Sequence, residues 1–437
     1  MGFIRQNINM MKITFKEICR IYKSIFFQCL LFNIMYFLNS YMMGQIDEYA
    51  VSAIGVGSQF LWVLQCIVQS SAYAVGLIIS RMWGKRDIRQ IREFVVSTII
   101  VVTVEFCIVL LVVYICMGRI VDFYTQNVLI SNQVKKYLLW AIWELFFSGI
   151  AMVYESALQN TDQNKTVSKS YILELFINII TLVFLVKIVN MDVVGVAMAS
   201  LITKVVKCVY VKQKYKFGYR ISDCKILSSS KIIVNISAPI LIETLLWNAG
   251  SILVMGKVGR LTITDIAIYS VFNSSLYVLF VPIEAFSKAV KVYIGQLFGN
   301  SKSTYIKKEV NNLIYINQFI IMGTIVATVI FWKNIELFYS GISVDAINIS
   351  NQLLGLIVIY IILKGENELI SNGILMTGLD NSFKCFIEVL VLISMCLTFF
   401  VIKLDLFRMF SILVSMEFLR LIAFTLRMIT NKWLKKI

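Results

Sequence analysis

The sequence predicts an all-α polytopic membrane protein with twelve transmembrane helices in two six-helix lobes, related by pseudo-two-fold symmetry along the membrane normal. Three observations lead to this fold class. Apolar residues make up 59% of the 437 residues and charged residues only 15%, long apolar runs recur along the whole chain, and basic residues concentrate in alternate loops. Soluble domains carry about 25% charged residues, so the composition excludes a soluble globular protein.

Twelve apolar runs are long enough to cross a bilayer, which takes about 20 residues of helix. The second and eighth runs are unusually long and contain Gly and Ser, so each of these helices is expected to overhang the bilayer or to bend. Pro239 predicts either the start of the seventh helix or a kink in it, and Pro282 predicts a kink in the eighth. The approximate centres of the runs are Leu31, Leu64, Val104, Gly149, Ile177, Ile202, Leu245, Tyr277, Gly323, Tyr360, Leu392 and Met416.

Basic residues determine the predicted orientation. They cluster in the loops after the second, sixth and eighth runs and at the C-terminus, whereas the alternate loops hold few. Because loops rich in Lys and Arg stay in the cytoplasm, both termini are expected to be cytoplasmic. The formal charge of +16 is then a matter of topology. We expect a multi-pass monomer in the plasma membrane that contacts the lipid bilayer and no nucleic acid.

The two halves of the chain repeat one pattern. Met42–Phe60, with its Gly-containing turn, corresponds to Val254–Phe272, and the basic exit Leu77–Val95 corresponds to Lys291–Val310. Each half runs from inside to inside in six spans. The repeat predicts an N-lobe of residues 1–218 and a C-lobe of residues 219–437, with a substrate cavity between lobes that rock against each other.

The residue types disfavour an enzyme. The chain has no His, which excludes His-ligated zinc, Ser-His-Asp triads and Cys-His nucleophiles. The nine Cys form no C-x-x-C pair and are interpreted as buried small hydrophobic residues. No phosphate-binding Gly-rich loop occurs, which argues against a self-contained ATP-driven pump. We expect no cofactor and no metal site.

Six blocks spread over nearly the whole chain carry a family resemblance: Gly44 with Ala50–Ala53, Leu77–Asp87, Gly195–Lys204, Pro239–Gly250, Tyr293–Ser301 and Asn372–Ser382. In this order and spacing they resemble the multidrug and toxic compound extrusion (MATE) family, within a superfamily that includes polysaccharide and lipid-linked precursor flippases. The resemblance implies a V-shaped pair of six-helix lobes. It also implies export of amphipathic, often cationic, organic compounds, with H+ or Na+ as the coupling ion.

Two positions bear on the family's cation sites. Cation-coupled members typically have an Asp five residues before the Gly of the first helix, whereas this sequence has Asn39, which cannot ionise. A cation site in the first lobe would have to do without that carboxylate. The acidic position of the tenth helix falls near Gly365, beside Glu366 and Glu368, which makes these two residues candidates for a displaced acid.

The glutamates in the apolar runs fall into two groups, according to whether a basic residue lies one turn away on the same helix. An ionised side chain at mid-bilayer costs roughly 2.5–3.5 kcal/mol, so a nearby base indicates a neutralised pair. Such pairs are predicted for Glu284 with Lys288, Glu368 with Lys364, Glu388 with Lys384 and Glu417 with Arg420. Five glutamates of the apolar runs lack such a base: Glu105, Glu144, Glu155, Glu174 and Glu243.

Glu243 is the leading candidate for cation coupling, with a structural hydrogen bond between helices as the alternative. It lies near the middle of the seventh run, and an unpaired carboxylate in a low dielectric takes up a proton more readily. Trp247, one turn further on, offers an aromatic face that suits a cationic substrate. Glu174 with Asn178 in the fifth run is a second candidate, whereas Glu155 is expected to be solvated.

The sequence leaves three functions, of which a secondary active exporter with alternating access is the leading one. A flippase or exporter of a lipid-linked saccharide or a peptide is the alternative, and an anionic cargo of this kind would favour cationic side chains in the cavity. Lys204, Lys207, Lys288 and Lys291 could supply them, although their positions near cytoplasmic helix ends favour a topological explanation. A membrane-embedded transferase is a remote alternative.

Overall fold

The computed structural model describes residues 2–43, 48–124, 128–218, 225–258, 261–300, 303–334, 344–401 and 405–434. Side chains are described from residue 15 to 35, from 57 to 119 and over most of the later ranges. These residues are almost entirely helical and include no strand. The predicted all-α class is therefore confirmed.

The described part of the chain contains thirteen α-helices and two wider π-helical turns. The turns Val183–Ile188 and Leu369–Leu375 extend the fifth and the eleventh helix. The helices are α1 Gly2–Met43, α2 Glu48–Gly84, α3 Ile88–Tyr124, α4 Val128–Asn160, α5 Asn164–Leu182, α6 Val193–Lys214, α7 Ile226–Val258, α8 Ile263–Leu279, α9 Val281–Asn300, α10 Ser303–Lys333, α11 Val344–Glu368, α12 Asn381–Val401 and α13 Leu406–Ile429.

The twelve predicted centres lie in twelve different helices, so of the described helices only α9 has no centre of its own. It arises because the eighth apolar run is divided between Leu279 and Val281. Pro282 is the second residue of α9, where its missing N–H removes no helical hydrogen bond. The kink predicted at Pro282 is thus confirmed as a break between two helices. Pro239 lies inside α7 rather than at its start.

Ten helices of the described residues are long and apolar enough to cross a membrane. The second apolar run forms α2, which continues for 37 residues. At 1.5 Å per residue, a helix of this size is about 55 Å long, well beyond the ~30 Å hydrocarbon core of a bilayer. α2 is therefore long enough for the overhang that the sequence predicted.

The chain divides into two compact units. The N-unit comprises Phe27–Leu241, and the C-unit comprises Met1–Phe26 together with Ile242–Ile437. The divisions fall inside α1 and inside α7. The lobe boundary between residues 218 and 219 and the symmetry that relates the lobes remain predictions.

Each unit has a tightly packed interior. In the N-unit, α4 packs against α2 and α6, and a Cβ atom at Gly149 would lie 2.8 Å from Cγ1 of Val102. Small residues allow such close approach where lipid supplies no hydrophobic force between helices. In the C-unit, the ring centres of Phe272 and Phe410 lie 4.7 Å apart in an edge-to-face arrangement, and Trp332 is buried.

The contact of Gly378 with Trp433 gives a prediction about stability. Trp433 is 1% exposed, and a Cβ atom at Gly378 would lie 2.9 Å from its ring atom Cε3 and would also meet its carbonyl group. We expect Gly378→Ala to lower the free energy of unfolding by about 1–3 kcal/mol through overpacking. Thermal unfolding of the purified protein measures this change. Gly256→Ala is the control, because nothing lies within 4 Å of a Cβ atom there; equal effects would contradict the prediction.

Candidate functional site

A buried cluster of charges joins α4, α5 and α6 in the N-unit. Glu174 of α5 is 1% exposed. One of its carboxylate oxygens lies 2.5 Å from Nζ of Lys204, and the other lies 2.7 Å from Nζ of Lys207. Lys207 also pairs with Glu155 of α4 at 2.7 Å, and its ammonium group lies 3.7 Å from the centre of the Tyr171 ring. Because the two lysines are three residues apart on α6, they share the face that meets α5.

Next to this cluster lies a small cavity of about 30 Å³, which is lined by Met35, Glu144, Glu174, Asn178, Ser200, Thr203 and Lys204. A volume of this order accommodates one or two particles the size of water. Asn178 is 3% exposed, and its side-chain oxygen Oδ1 accepts no hydrogen bond from the described residues. Glu144 forms no ion pair within the described part of the chain. The cavity therefore presents two oxygen-bearing side chains whose polar groups are not satisfied by the cluster.

Glu174 and Asn178, which the sequence paired, both line this cavity; the pairing of Glu174 with Lys204 and Lys207 was not predicted. Both lysines lie on α6, and a search restricted to the same helix does not reach them. Glu155 was expected to be solvated; this expectation is wrong, since it is buried and paired with Lys207. The usable signal was a pair of lysines inside an apolar run, because a lysine there needs a counter-charge. The side chain of Asn39 lies outside the described residues.

A second polar chain links three elements of the C-unit. Glu243 of α7 forms an ion pair with Lys384 of α12, with 3.0 Å between Oε2 and Nζ, and the Lys384 side chain is fully buried. Lys384 also donates to the side-chain oxygen of Asn372 at 2.8 Å, and the Asn372 amide donates to Glu368 at 3.0 Å. Asn372 lies on the π-helical turn after α11. The structure thus joins two candidates, Glu243 and Glu368, through Lys384 and Asn372.

These contacts correct two predicted pairs. Lys384 binds Glu243 rather than Glu388 on its own helix, and Glu388 instead forms a bidentate pair with Arg420 of α13 at 3.0 and 2.8 Å. Arg420 holds Glu417 as well, at 2.7 Å, as the sequence predicted. Glu368 accepts a hydrogen bond from Asn372 and is not held by the predicted Lys364.

Glu284 and Glu366 are two further acids of the C-unit. Glu284 pairs with Lys288 at 2.6 Å, which confirms the predicted pair. Asn317 of α10 donates a hydrogen bond to the backbone carbonyl of Gly365, next to Glu366, at 3.3 Å, and Glu366 takes no part in the chain that contains Glu368. Residues two apart on a helix point in different directions, so these neighbouring acids belong to different surroundings.

The aromatic face of Trp247 is occupied by a lysine of the same unit. The ammonium group of Lys364 on α11 lies 5.4 Å from the Trp247 ring centre and 5.3 Å from those of Phe280 and Tyr360. It also donates a hydrogen bond to the Tyr360 hydroxyl at 3.2 Å. A cation–π contact contributes about 0.5–2 kcal/mol, more when it is desolvated. Trp247 was predicted to face a cationic substrate, and the structure shows an internal cation at that position.

The double pairing of Glu174 gives the second prediction. Glu174→Gln removes the paired counter-charge of Lys204 and one of the two that Lys207 has, so we expect the free energy of unfolding to fall by about 3–5 kcal/mol. Chemical denaturation of the purified protein measures this. Glu284→Gln is the control, because Glu284 and Lys288 are 41% and 32% exposed and such a pair contributes about 0–1 kcal/mol. The prediction fails if the two variants lose the same stability.

The sequence matches a known protein family, and the fold matches solved structures. The MatE family model matches residues 24–202 and 239–378, and no curated protein sequence matches the chain. The fold is similar to that of a variant of the Vibrio cholerae MATE transporter VcmN, with a TM-score of 0.86 and 16% identity over 97% of this chain and 99% of that one. It is similar to an outward-facing multidrug resistance MATE family transporter of the MOP superfamily, with a TM-score of 0.84 and 14% identity over 97% of each chain.

A third similar structure is a MOP superfamily transporter from Pyrococcus furiosus, whose binding pocket is described as having reverse polarity that suggests a different function. The TM-score is 0.82 and the identity 14%, over 96% of this chain and 97% of that one. These likenesses support the all-helical fold, and the family model covers more than half of the sequence. The chain therefore belongs to the MatE family and is a membrane transporter, not an enzyme.

Proposed function

We propose that the protein is a secondary active exporter that moves amphipathic organic compounds out of the cell by alternating access, driven by H+ or Na+. The observation that carries this proposal is the cavity of the N-unit, where Glu144 and Asn178, whose side-chain oxygen Oδ1 accepts no hydrogen bond from the described residues, line one small space. The proposal includes a monomer in the plasma membrane with both termini in the cytoplasm.

The charges around the cavity favour uptake of one cation. Three carboxylates, of Glu144, Glu155 and Glu174, accompany only two ammonium groups, of Lys204 and Lys207. The lysines are committed to Glu155 and Glu174, so Glu144 is the carboxylate without a counter-charge from the cluster. A proton on Glu144, or Na+ held by Glu144, Asn178 and the nearby hydroxyl groups, supplies it. We favour the proton, because protonation requires only the carboxylate of Glu144, whereas Na+ requires several oxygen ligands at once.

The position of the cavity also bears on the Asn39 position. Met35 of α1 lines the cavity, and Asn39 is one helical turn further along α1. The family pattern has an Asp at the position of Asn39, one turn from a residue that lines the cavity. We propose that Glu144 of α4 takes over the role of the missing carboxylate.

The third prediction tests Glu144. Glu144→Gln is expected to reduce gradient-driven export by about tenfold or more, because an amide does not take up a proton at neutral pH. The measurement is uptake of ethidium or carboxyfluorescein into inside-out vesicles with an imposed proton or sodium gradient. Glu105→Gln is the matched control: Glu105 lies on α3, accepts a hydrogen bond from Ser71 at 2.7 Å and does not line the cavity. Unchanged transport by Glu144→Gln would refute the assignment.

Glu243 remains a second proposed coupling residue, and the fourth prediction separates coupling from structure. Because Glu243 neutralises the buried Lys384, Glu243→Gln is expected to impair both stability and transport. If Glu243 is only a counter-ion, the double variant Glu243→Gln with Lys384→Met regains both in the same vesicle assay and in thermal unfolding. If Glu243 carries the coupling ion, the double variant regains stability but not transport. Full export by Glu243→Gln alone contradicts both roles.

A second candidate function is export or flipping of an acidic cargo, such as a lipid-linked saccharide. Lys364 favours it, because this lysine takes the aromatic face that a cationic compound would use. The reversed pocket polarity described for the Pyrococcus furiosus relative is consistent with such variation. Lys204 and Lys207, which the sequence offered for this purpose, are held by glutamates and are not part of this proposal.

A further inference from the structure

We propose that Lys364 of the C-unit binds the anionic group of the exported compound, so that the cargo is an amphiphile with a carboxylate or a phosphate group rather than an organic cation. The inference rests on the proposed export function and specifies its substrate class. It is carried by the position of one half-buried lysine among aromatic side chains.

The contacts of Lys364 leave its positive charge uncancelled. Its nearest partners are the Tyr360 hydroxyl and the rings of Trp247, Phe280 and Tyr360, all of them neutral. Within the described residues no carboxylate lies at ion-pair distance from its ammonium group. Aromatic faces stabilise an ammonium ion through their quadrupole without neutralising it, so the charge remains available to an anion.

The carboxylates that interact with Lys364 from further away are engaged by other donors. Glu284 pairs with Lys288 at 2.6 Å and Glu417 with Arg420 at 2.7 Å. Glu368 accepts a hydrogen bond from Asn372. Each acid is closer to its own donor than to Lys364, so none of them takes the place of a bound anion.

The site is accessible and has donors to offer. Lys364 is partly exposed, and Trp247 is 44% exposed. An ammonium group has three N–H donors, and one of those of Lys364 points to the Tyr360 hydroxyl. Charge-assisted hydrogen bonds from such a group to a carboxylate or phosphate oxygen are about 2.7–2.9 Å long. A cationic compound, by contrast, would have to displace Lys364 from the rings.

Binding of three amphiphiles with the same ten-carbon alkyl chain tests the proposal: undecanoate, decyl phosphate and decyltrimethylammonium. Equilibrium dialysis with the purified full-length protein gives their affinities. We expect at least one anionic probe to bind about tenfold or more tightly than the cation, equivalent to about 1.4 kcal/mol, and the comparison of the two anions separates carboxylate from phosphate recognition. Lys364→Met should lower anion affinity by about the same factor and raise that of decyltrimethylammonium, because the rings become free.

Two further variants serve as controls. Lys364→Arg should keep anion binding, which shows that the charge matters and that the fold tolerates a change here. Lys257→Met should have no effect: Lys257 also contacts rings, those of Phe399 and Phe400 at 6.0 and 5.7 Å, but lies near the end of α7. Equal anion affinity in wild type and Lys364→Met, binding of neither anion, or a preference of the wild type for the cation overturns the proposal.

The same probes distinguish failure of the anion site from failure of the export function. Tight anion binding that depends on Lys364, together with no gradient-driven movement of any probe in vesicles, contradicts export and supports the anion site. Gradient-driven movement of decyltrimethylammonium alone, unaffected by Lys364→Met, supports export and contradicts the anion site.

Discussion

An ionised side chain at the centre of a bilayer costs about 2.5–3.5 kcal/mol on insertion scales, and this cost governs the polar interior of both units. Lys207 and Lys384 are almost completely buried, and each is met by an acid from a different helix. Lipid supplies no hydrophobic force that would hold helices together. The ion pairs therefore join particular helices: α4, α5 and α6 in the N-unit, and α7 and α12 in the C-unit.

Buried ion pairs contribute little net stability, because the loss of hydration offsets the attraction, whereas breaking one is expensive. The paired groups are thus poorly suited to take up and release ligands in each transport cycle. The groups that the pairing leaves over are better suited: Glu144 with Asn178 in the N-unit and Lys364 in the C-unit. Which groups remain available depends on the complete set of pairs, because a charged group can bind a ligand only if no opposite charge already holds it.

Much of the fold follows from the sequence, whereas the site follows from it only in part. Apolar runs located twelve helices, and Pro282 marked the break between α8 and α9, because both signals are local along the chain. The pairs within one helix, Glu284 with Lys288 and Glu417 with Arg420, were equally local. Lys384 was assigned to Glu388 but binds Glu243, since helical spacing shows which residues share a face and not which neighbouring helix that face meets.

The two proposed ligands have a common electrical consequence. A proton that enters through Glu144 carries positive charge inward, and an anion that leaves through Lys364 carries negative charge outward. Both movements are favoured by a membrane potential that is negative inside, and each charge contributes about 2.3 kcal/mol per 100 mV. Exchange of one proton for a monovalent organic cation would move no net charge and would gain nothing from the potential. Replacing a cationic cargo with an anionic one thus makes the membrane potential, in addition to the proton gradient, a driving force for export.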